Sequence, residues 1–263
     1  LAAGLPASSL RTAEDLPQLE KAAADQLAAL VDRRLSGEPL AYLTGRQVFM
    51  GIEFLCSPKA MIPRKETEIL SQAAINLARR LVSERGKIRA LDVCTGSGNL
   101  ALALAYHEVN CQVTGIDLSA EAIDLAQKNA AYLGLGDRVR FCQGDLFSPV
   151  EGEEGSAFFD LIICNPPYIS STQVDRLPAE IRHHEPRLAL DGGPYGIRII
   201  TRLINEAPRF LKPDSWICFE VGSGQGNSIA NMLRKRPAYN QVESFIDKTG
   251  EIRVLSAKTL PIE

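Results

Sequence analysis

No apolar run in this chain approaches the roughly 20 residues that a membrane-crossing helix requires, and no cationic, apolar, small-residue leader is visible. The first residue is Leu1 rather than Met, so the natural start is expected upstream. The six cysteines (Cys56, Cys94, Cys111, Cys142, Cys164 and Cys218) stand far apart, with no C-x-x-C pair. Most fall in or beside apolar, strand-like runs, which predicts reduced, buried thiols suited to the cytosol. A metal site is not expected, because His183 and His184 are adjacent and poorly placed for joint ligation, while His107 closes a helix. A cationic surplus is also missing. With 29 basic against 32 acidic residues the net charge is −3, which gives no general attraction to phosphate backbones or anionic membranes. No stable nucleic-acid partner is therefore expected. The Gly-Lys-Ser/Thr of a Walker loop is absent, and so is the third glycine of G-x-G-x-x-G.

What is present is a globular composition, 45% hydrophobic and 23% charged over 263 residues. That length accommodates one large domain, or a main domain with a small appendage. Helical spacing runs from Leu19 to Leu35 and again from Glu66 to Arg85, with a short hairpin, Gln47 to Phe54, turning at Met50-Gly51. After Gly86 the texture alternates. Seven strands are expected at Ile88–Val93, Cys111–Ile116, Val139–Cys142, Phe159–Cys164, Trp216–Val221, Val242–Ile246 and Ile252–Ser256. Helices are expected at Asn99–His107, Ala120–Leu133, Ile197–Leu211 and Gly226–Arg236. This order predicts an α/β fold, a mostly parallel sheet covered on both faces with a terminal antiparallel hairpin. Glu151-Gly152-Glu153-Glu154-Gly155 reads as a solvated loop.

The most informative stretch is Asn165-Pro166-Pro167-Tyr168, directly after the fourth strand. Neither proline carries an N–H, so the turn is stiff and leaves carbonyls without ladder partners. The Asn165 side chain adds another acceptor. Two acceptors beside an aromatic ring make a clamp for a planar NH2 group, either a side-chain amide or a nucleobase amine. The competing reading is an ordinary strand-ending turn. Three neighbouring strand ends count against it. The first ends in Cys94-Thr95-Gly96-Ser97-Gly98, a turn that lets a ligand approach the backbone at a helix N-terminus. The second ends at Asp117, 25 positions after Asp92, where a carboxylate can accept from both ribose hydroxyls of an adenosine. The third ends in Asp145-Leu146, an acid to accept from an adenine amine and an apolar face to cover the ring. All four tips belong to the carboxyl edge, where open α/β sheets bind ligands.

These motifs resemble the class I S-adenosylmethionine-dependent methyltransferases, and N-P-P-Y is similar to those that methylate planar nitrogen. Within that group the chain resembles the release-factor glutamine methyltransferases, the PrmC or HemK family. It is carried by Gly37-Glu38-Pro39-Leu40-Ala41-Tyr42-Leu43-Thr44-Gly45, by Met61-Ile62-Pro63-Arg64-Lys65-Glu66-Thr67-Glu68 and by Glu185-Pro186-Arg187-Leu188-Ala189-Leu190-Asp191-Gly192-Gly193. Cys94 stands where that family often has Gly, Lys65 where it commonly has Pro, and Leu146 where relatives can be aromatic.

The resemblance implies a seven-stranded Rossmann-like sheet preceded by a small N-terminal helical domain that looks shortened. The expected division is 1–45 for substrate docking, 46–65 for a hairpin linker and 66–263 for the methyltransferase domain. It further implies that Cys94, Thr95, Gly96, Ser97 and Gly98 wrap the methionine part of S-adenosylmethionine. Asp117 would hold the ribose, and Leu146 would pack near the adenine beside Asp145. Asn165 would touch cofactor and substrate, and Asn165, Pro166, Pro167 and Tyr168 would grip the substrate amide. Asn165, Pro166 and Tyr168 are the expected catalytic set. Arg64 is expected either in the substrate pocket wall or in a salt bridge, and Glu185 in ordering a loop over the site. The implied partner is a peptide chain release factor, modified on the glutamine of its Gly-Gly-Gln motif by a cytoplasmic, monomeric enzyme that leaves S-adenosylhomocysteine as product. The alternatives are methylation of a nucleobase, methylation of a ribosomal-protein glutamine, and a binding protein that keeps the fold without activity.

Overall fold

The computed structural model describes residues 20–152 and 159–261. Leu19 of the first expected helix and Glu153-Glu154-Gly155 of the acidic loop lie outside them. Helices α1 (Lys21–Leu35) and α2 (Leu40–Thr44) lead into a two-stranded hairpin, β1 (Arg46–Phe49) and β2 (Ile52–Leu55). Met50 and Gly51 turn it with φ of 52° and 78°, the doubly left-handed geometry that matches strand twist. Phe49, Ile52 and Phe54 bury one face of this hairpin in the main core.

The rest alternates as α3 (Glu68–Arg85), β3 (Ile88–Val93), α4 (Asn99–His107), β4 (Cys111–Asp117), α5 (Ala120–Tyr132), β5 (Val139–Gln143) and β6 (Phe159–Cys164). Two short helices, α6 (Ser171–Val174) and α7 (Ala179–His184), precede α8 (Arg198–Glu206), β7 (Leu211–Glu220), α9 (Gly226–Arg234), β8 (Tyr239–Ile246) and β9 (Ile252–Thr259). The sheet order is β5-β4-β3-β6-β7-β9-β8, with β9 antiparallel to both of its neighbours. This is the expected seven-stranded, mostly parallel sheet with its terminal hairpin. Strand β6 is buried at every position, as a central parallel strand covered on both faces must be. One face packs Leu70, Leu77 and Leu81 of α3 with Leu102 and Leu104 of α4. The other packs Ile200, Leu203 and Ile204 of α8 with Ile229 and Leu233 of α9.

Several boundaries depart from the sequence reading, β8 starting three residues early and β9 ending three residues late among them, and three have a local physical cause. The helix expected over Ile197–Leu211 ends at Glu206 and passes through a 3-10 turn, Ala207–Arg209, because Pro208 cannot continue it. Leu211 instead opens β7, five residues before Trp216. It pairs with Phe159, and the ladder resumes only at Leu161↔Trp216. The intervening Lys212-Pro213-Asp214 bulges outward, with Asp214 at φ 61°, so its polar residues hide the strand. Helix α9 stops at Arg234, short of Pro237, since the residues before a proline leave the helical region.

Opposite the ligand-binding edge, the sheet anchors a buried charge. Asp160 is fully buried and meets Arg85 Nη1 at 2.6 Å, Lys212 Nζ at 2.9 Å and the Arg89 backbone N–H at 2.9 Å. The arrangement clips the end of α3 to β3, β6 and β7. Removing one partner of such a buried pair leaves an under-compensated charge. Arg85→Met is expected to destabilise the fold by about 3 kcal/mol, read from the urea midpoint at constant m-value.

Candidate functional site

Strands β3 to β6 run parallel, so their C-terminal ends rise at one edge around a cavity of about 490 Å3. That volume lies within the range of small-molecule sites. Its floor is the turn after β3. Cys94, Gly96 and Gly98 take φ of 60°, 55° and 80°, which curls the chain so that α4 starts at the cavity. At Gly98 a Cβ would lie 2.8 Å from the Phe141 ring, so glycine is required there for both conformation and packing. Cys94 adopts a left-handed conformation that glycine would adopt freely, a strained choice for a side-chain residue. The turn is held by Asp92, which is fully buried. Its Oδ2 accepts from Thr95 Oγ1 at 2.6 Å and from the Ala101 N–H at 3.1 Å. Burial pushes this carboxyl up to about 7 against those two bonds. Its other oxygen is buried without a partner.

Asp117 ends β4 and faces the cavity. Its two oxygens accept from the N–H groups of Gly96 (2.8 Å) and Ser119 (2.9 Å). Each oxygen keeps a lone pair for a ligand hydroxyl, and burial raises the carboxyl above its ordinary range. Leu146 lines the cavity at φ 50°. Asp145 also lines it but is exposed, with both oxygens 3.0 Å from Arg202 Nη1. A further wall comes from the segment after β2, Pro58 to Met61, and the facing wall from Pro186 to Ala189. Asn129 joins wall and floor. It bonds the Leu55 N–H and carbonyl at 2.7 and 3.2 Å, and the Ser97 carbonyl at 3.0 Å.

Asn165 and Pro167 line the cavity beyond β6, whereas Pro166 and Tyr168 stand behind that lip. Asn165 Nδ2 donates to Thr67 Oγ1 at 3.3 Å, and Tyr168 Oη donates to Glu220 Oε1 at 2.8 Å. Among the described residues, neither Asn165 Oδ1 nor the Pro166 carbonyl accepts a hydrogen bond. Both acceptors of the clamp are unspent. Arg64 does not line the cavity. It pairs with the buried carboxylate of Glu185, which also accepts from the Ile62 N–H at 3.4 Å, and this pair ties the two walls together. Desolvation raises the Glu185 carboxyl, and Arg64 opposes that shift.

Of the two places expected for Arg64, the salt bridge is the one observed, and the wall is built by Pro58 to Met61 instead. The sequence reading passed over Thr67 and Glu220, which hold the lip from behind. A signal for Glu220 was present: a lone carboxylate ends the apolar run Trp216-Ile217-Cys218-Phe219.

The groups present suit S-adenosylmethionine. The α4 N-terminus and the open face of Gly96 can take a carboxylate, the spare lone pairs of Asp117 a ribose, and Leu146 an adenine face. The methyltransferase-domain profile matches residues 84–259, and that of the PrmC N-terminal domain matches residues 2–45. Among solved structures, a methyltransferase from Pyrococcus furiosus superposes with a TM-score of 0.56 at 20% identity, covering 89% of this chain and 100% of that one. The human methyltransferase 10 domain containing protein gives 0.58 at 16%, covering 88% and 96%. Both show the class I methyltransferase fold. The release factor glutamine methyltransferase of Moorella thermoacetica is 38% identical over 240 residues, spanning 91% of this chain and 82% of its own. That of Geobacter sulfurreducens is 39% identical over 237 residues (89% and 79%), and that of Bacillus subtilis 35% over 227 (86% and 77%). With these matches running from the helical N-terminus through the sheet, the chain belongs to the release factor glutamine methyltransferase family.

Proposed function

We propose that this chain methylates the side-chain amide nitrogen of the glutamine in the Gly-Gly-Gln motif of peptide chain release factors, in support of translation termination. The observation that carries this reading is Asn165, which lines the cofactor cavity with Oδ1 unspent, followed by a Pro166 carbonyl that also accepts no hydrogen bond among the described residues. S-adenosylmethionine supplies the electrophilic methyl group. The amide nitrogen is a poor nucleophile because its lone pair is delocalised, so the chain's task is placement. The two acceptors would take the two N–H bonds, orient the nitrogen lone pair for attack on the methyl group that the cofactor supplies, and stabilise positive charge as it grows on nitrogen. Tyr168, outside the cavity lining and anchored through its hydroxyl, backs the lip. Pro167 narrows the entrance. No side chain is assigned as base, since the nitrogen becomes acidic once methylated and its proton can leave to water.

The clamp is rigid from behind. The Ile169 N–H donates to the Leu190 carbonyl and the Gly192 N–H to the Ile169 carbonyl. A Cβ on Gly192 would stand 2.5 Å from the Pro167 carbonyl oxygen, and one on Gly196 2.2 Å from that of Tyr168. The Gly-Gly-containing signature after Glu185 is thus what lets a second loop press against the N-P-P-Y backbone.

The division into a docking region (1–45), a hairpin linker (46–65) and a catalytic region (66–263) belongs to this proposal. So do action as a monomer, the absence of a stable nucleic-acid partner, and the cytoplasm, where translation takes place. The docking role is supported by the exposed apolar face of α1 and α2, with Leu27, Val31, Leu35 and Leu40 outward.

Incubated with labelled cofactor, the chain is expected to add one methyl group to the Gly-Gly-Gln glutamine, located by peptide mass spectrometry. Label entering only RNA or DNA would overturn the reading. Asn165→Ala is expected to lower kcat by about 100- to 1000-fold and to leave the cofactor Kd within roughly tenfold. Gly196→Ala, at φ 71° against fixed backbone, is expected to displace the clamp and cost about 100-fold in kcat. Removing residues 1–38 is expected to raise KM for the intact release factor more than for a short Gly-Gly-Gln peptide.

A further inference from the structure

Tyr168 is held at both ends, and the second hold comes from Gln225, the residue that caps the start of α9. The Tyr168 hydroxyl donates to Glu220 Oε1 at 2.8 Å. Its backbone carbonyl accepts from Gln225 Nε2 at 3.0 Å, and the Gly196 carbonyl lies 3.4 Å from the same nitrogen. Gln225 Oε1 in turn accepts from the Gly222 N–H at 2.9 Å. One side-chain amide thus joins three segments: the lip after β6, the Gly-Gly loop that presses on it, and the turn between β7 and α9. Two glycines leave room for it. A Cβ on Gly222 would stand 2.9 Å from Gln225 Oε1, and one on Gly196 3.0 Å from Nε2. The backbone of Gln225 is itself fixed. Its N–H donates to the Gly222 carbonyl at 3.1 Å, and its carbonyl accepts from the Ile229 N–H at 3.1 Å.

The two flipped forms of a glutamine amide have nearly the same shape, but every partner here is backbone, whose polarity cannot change. Gly222 N–H can only donate and the two carbonyls can only accept, so the amide has one orientation. We infer that Gln225 is a positioning residue for methyl transfer, one that sets the tilt of the lip. In a trans peptide the Tyr168 carbonyl and the Ile169 N–H point in opposite directions. Gln225 takes the first, and the Leu190 carbonyl takes the second at 3.1 Å. Bonds on opposite edges of one peptide plane stop it from rotating. The hydroxyl bond to Glu220 anchors only the side chain and does not do this. Pro166 and Pro167 have φ fixed by their rings, so the tilt set at Tyr168 passes back along a stiff segment. It reaches the Pro166 carbonyl and Asn165, the two acceptors of the clamp. This inference rests on the amide-methylation reading and adds to it the group that aims those acceptors.

The test is steady-state kinetics of the intact chain on release factor, with calorimetric binding of S-adenosylhomocysteine and a thermal midpoint. Gln225→Glu keeps the shape and the acceptor for Gly222, but sets an oxygen against two carbonyls. It is expected to lower kcat by roughly 10- to 100-fold, with KM and the Kd of S-adenosylhomocysteine within about threefold. Gln225→Met removes all three bonds without adding a charge and is expected to give the same split. Position 225 is only half-buried, so water can serve the freed backbone groups and the fold is expected to survive. Gln225→Met carries the test if Gln225→Glu does not accumulate as folded protein. A kcat within about threefold of wild type in either folded variant, or cofactor affinity lost in parallel with kcat, would overturn the inference. Wild-type turnover in the same assay decides the amide-methylation reading separately.

Discussion

Methylating a carboxamide requires holding an NH2 group by its hydrogens while leaving its lone-pair face open, and only acceptors can do that. The lip after β6 offers two, a side-chain carbonyl and a proline carbonyl, in a segment with few backbone donors to compete for them. Prolines serve here through what they lack. A backbone N–H at position 166 or 167 would find the same carbonyls or the substrate oxygen, and would loosen the turn. Asn165 is the weaker element, because an amide works only one way round. Its Nδ2 is spent on Thr67, and that bond converts an ambiguous side chain into an acceptor.

Everything else about the site follows from sheet direction. Parallel strands deliver their C-terminal residues to one edge without further design, so the Gly-rich turn, Asp117, Asp145-Leu146 and Asn165 converge from segments about 70 residues apart in sequence. The floor and the lip then sit on adjacent strands, β3 and β6, in register from Ala90↔Leu161 to Val93↔Cys164. That register fixes the distance between the turn after β3 and the lip after β6 more firmly than any loop could.

Much of this was legible because it is local. The strand tips announce themselves where apolar runs meet Gly, Asp or N-P-P-Y, and the hairpin turn is marked by Gly51, which takes positive φ freely even though Met50 beside it does not. The early start of β7 was not legible, since Lys212-Pro213-Asp214 reads as a loop and only pairing with Phe159 makes Leu211 a strand residue. The network behind the clamp was hidden for a related reason. Tyr168, Glu220 and Arg253 are far apart in sequence and meet only when β7 and β9 pack behind the lip. Arg64 shows the converse: a motif residue near the site whose guanidinium spans the two walls through Glu185 and stays outside the cavity lining.

The two edges of the sheet treat buried charge differently, and the difference separates stability from chemistry. At the amino edge, both oxygens of Asp160 are met by cations or an N–H. At the carboxyl edge, Asp92 and Glu220 are as deeply buried, yet each keeps one oxygen without a partner. Positive φ does not follow that division, since Cys94 and Leu146 take it at the carboxyl edge and Asp214 takes it beside the Asp160 cluster. A buried polar atom left unsatisfied costs on the order of 1–3 kcal/mol, and a chain selected for stability alone would have removed it. Among the described residues two such oxygens persist beside the Gly-rich turn and behind the lip. The Asp160 cluster at the opposite edge helps the fold carry that cost.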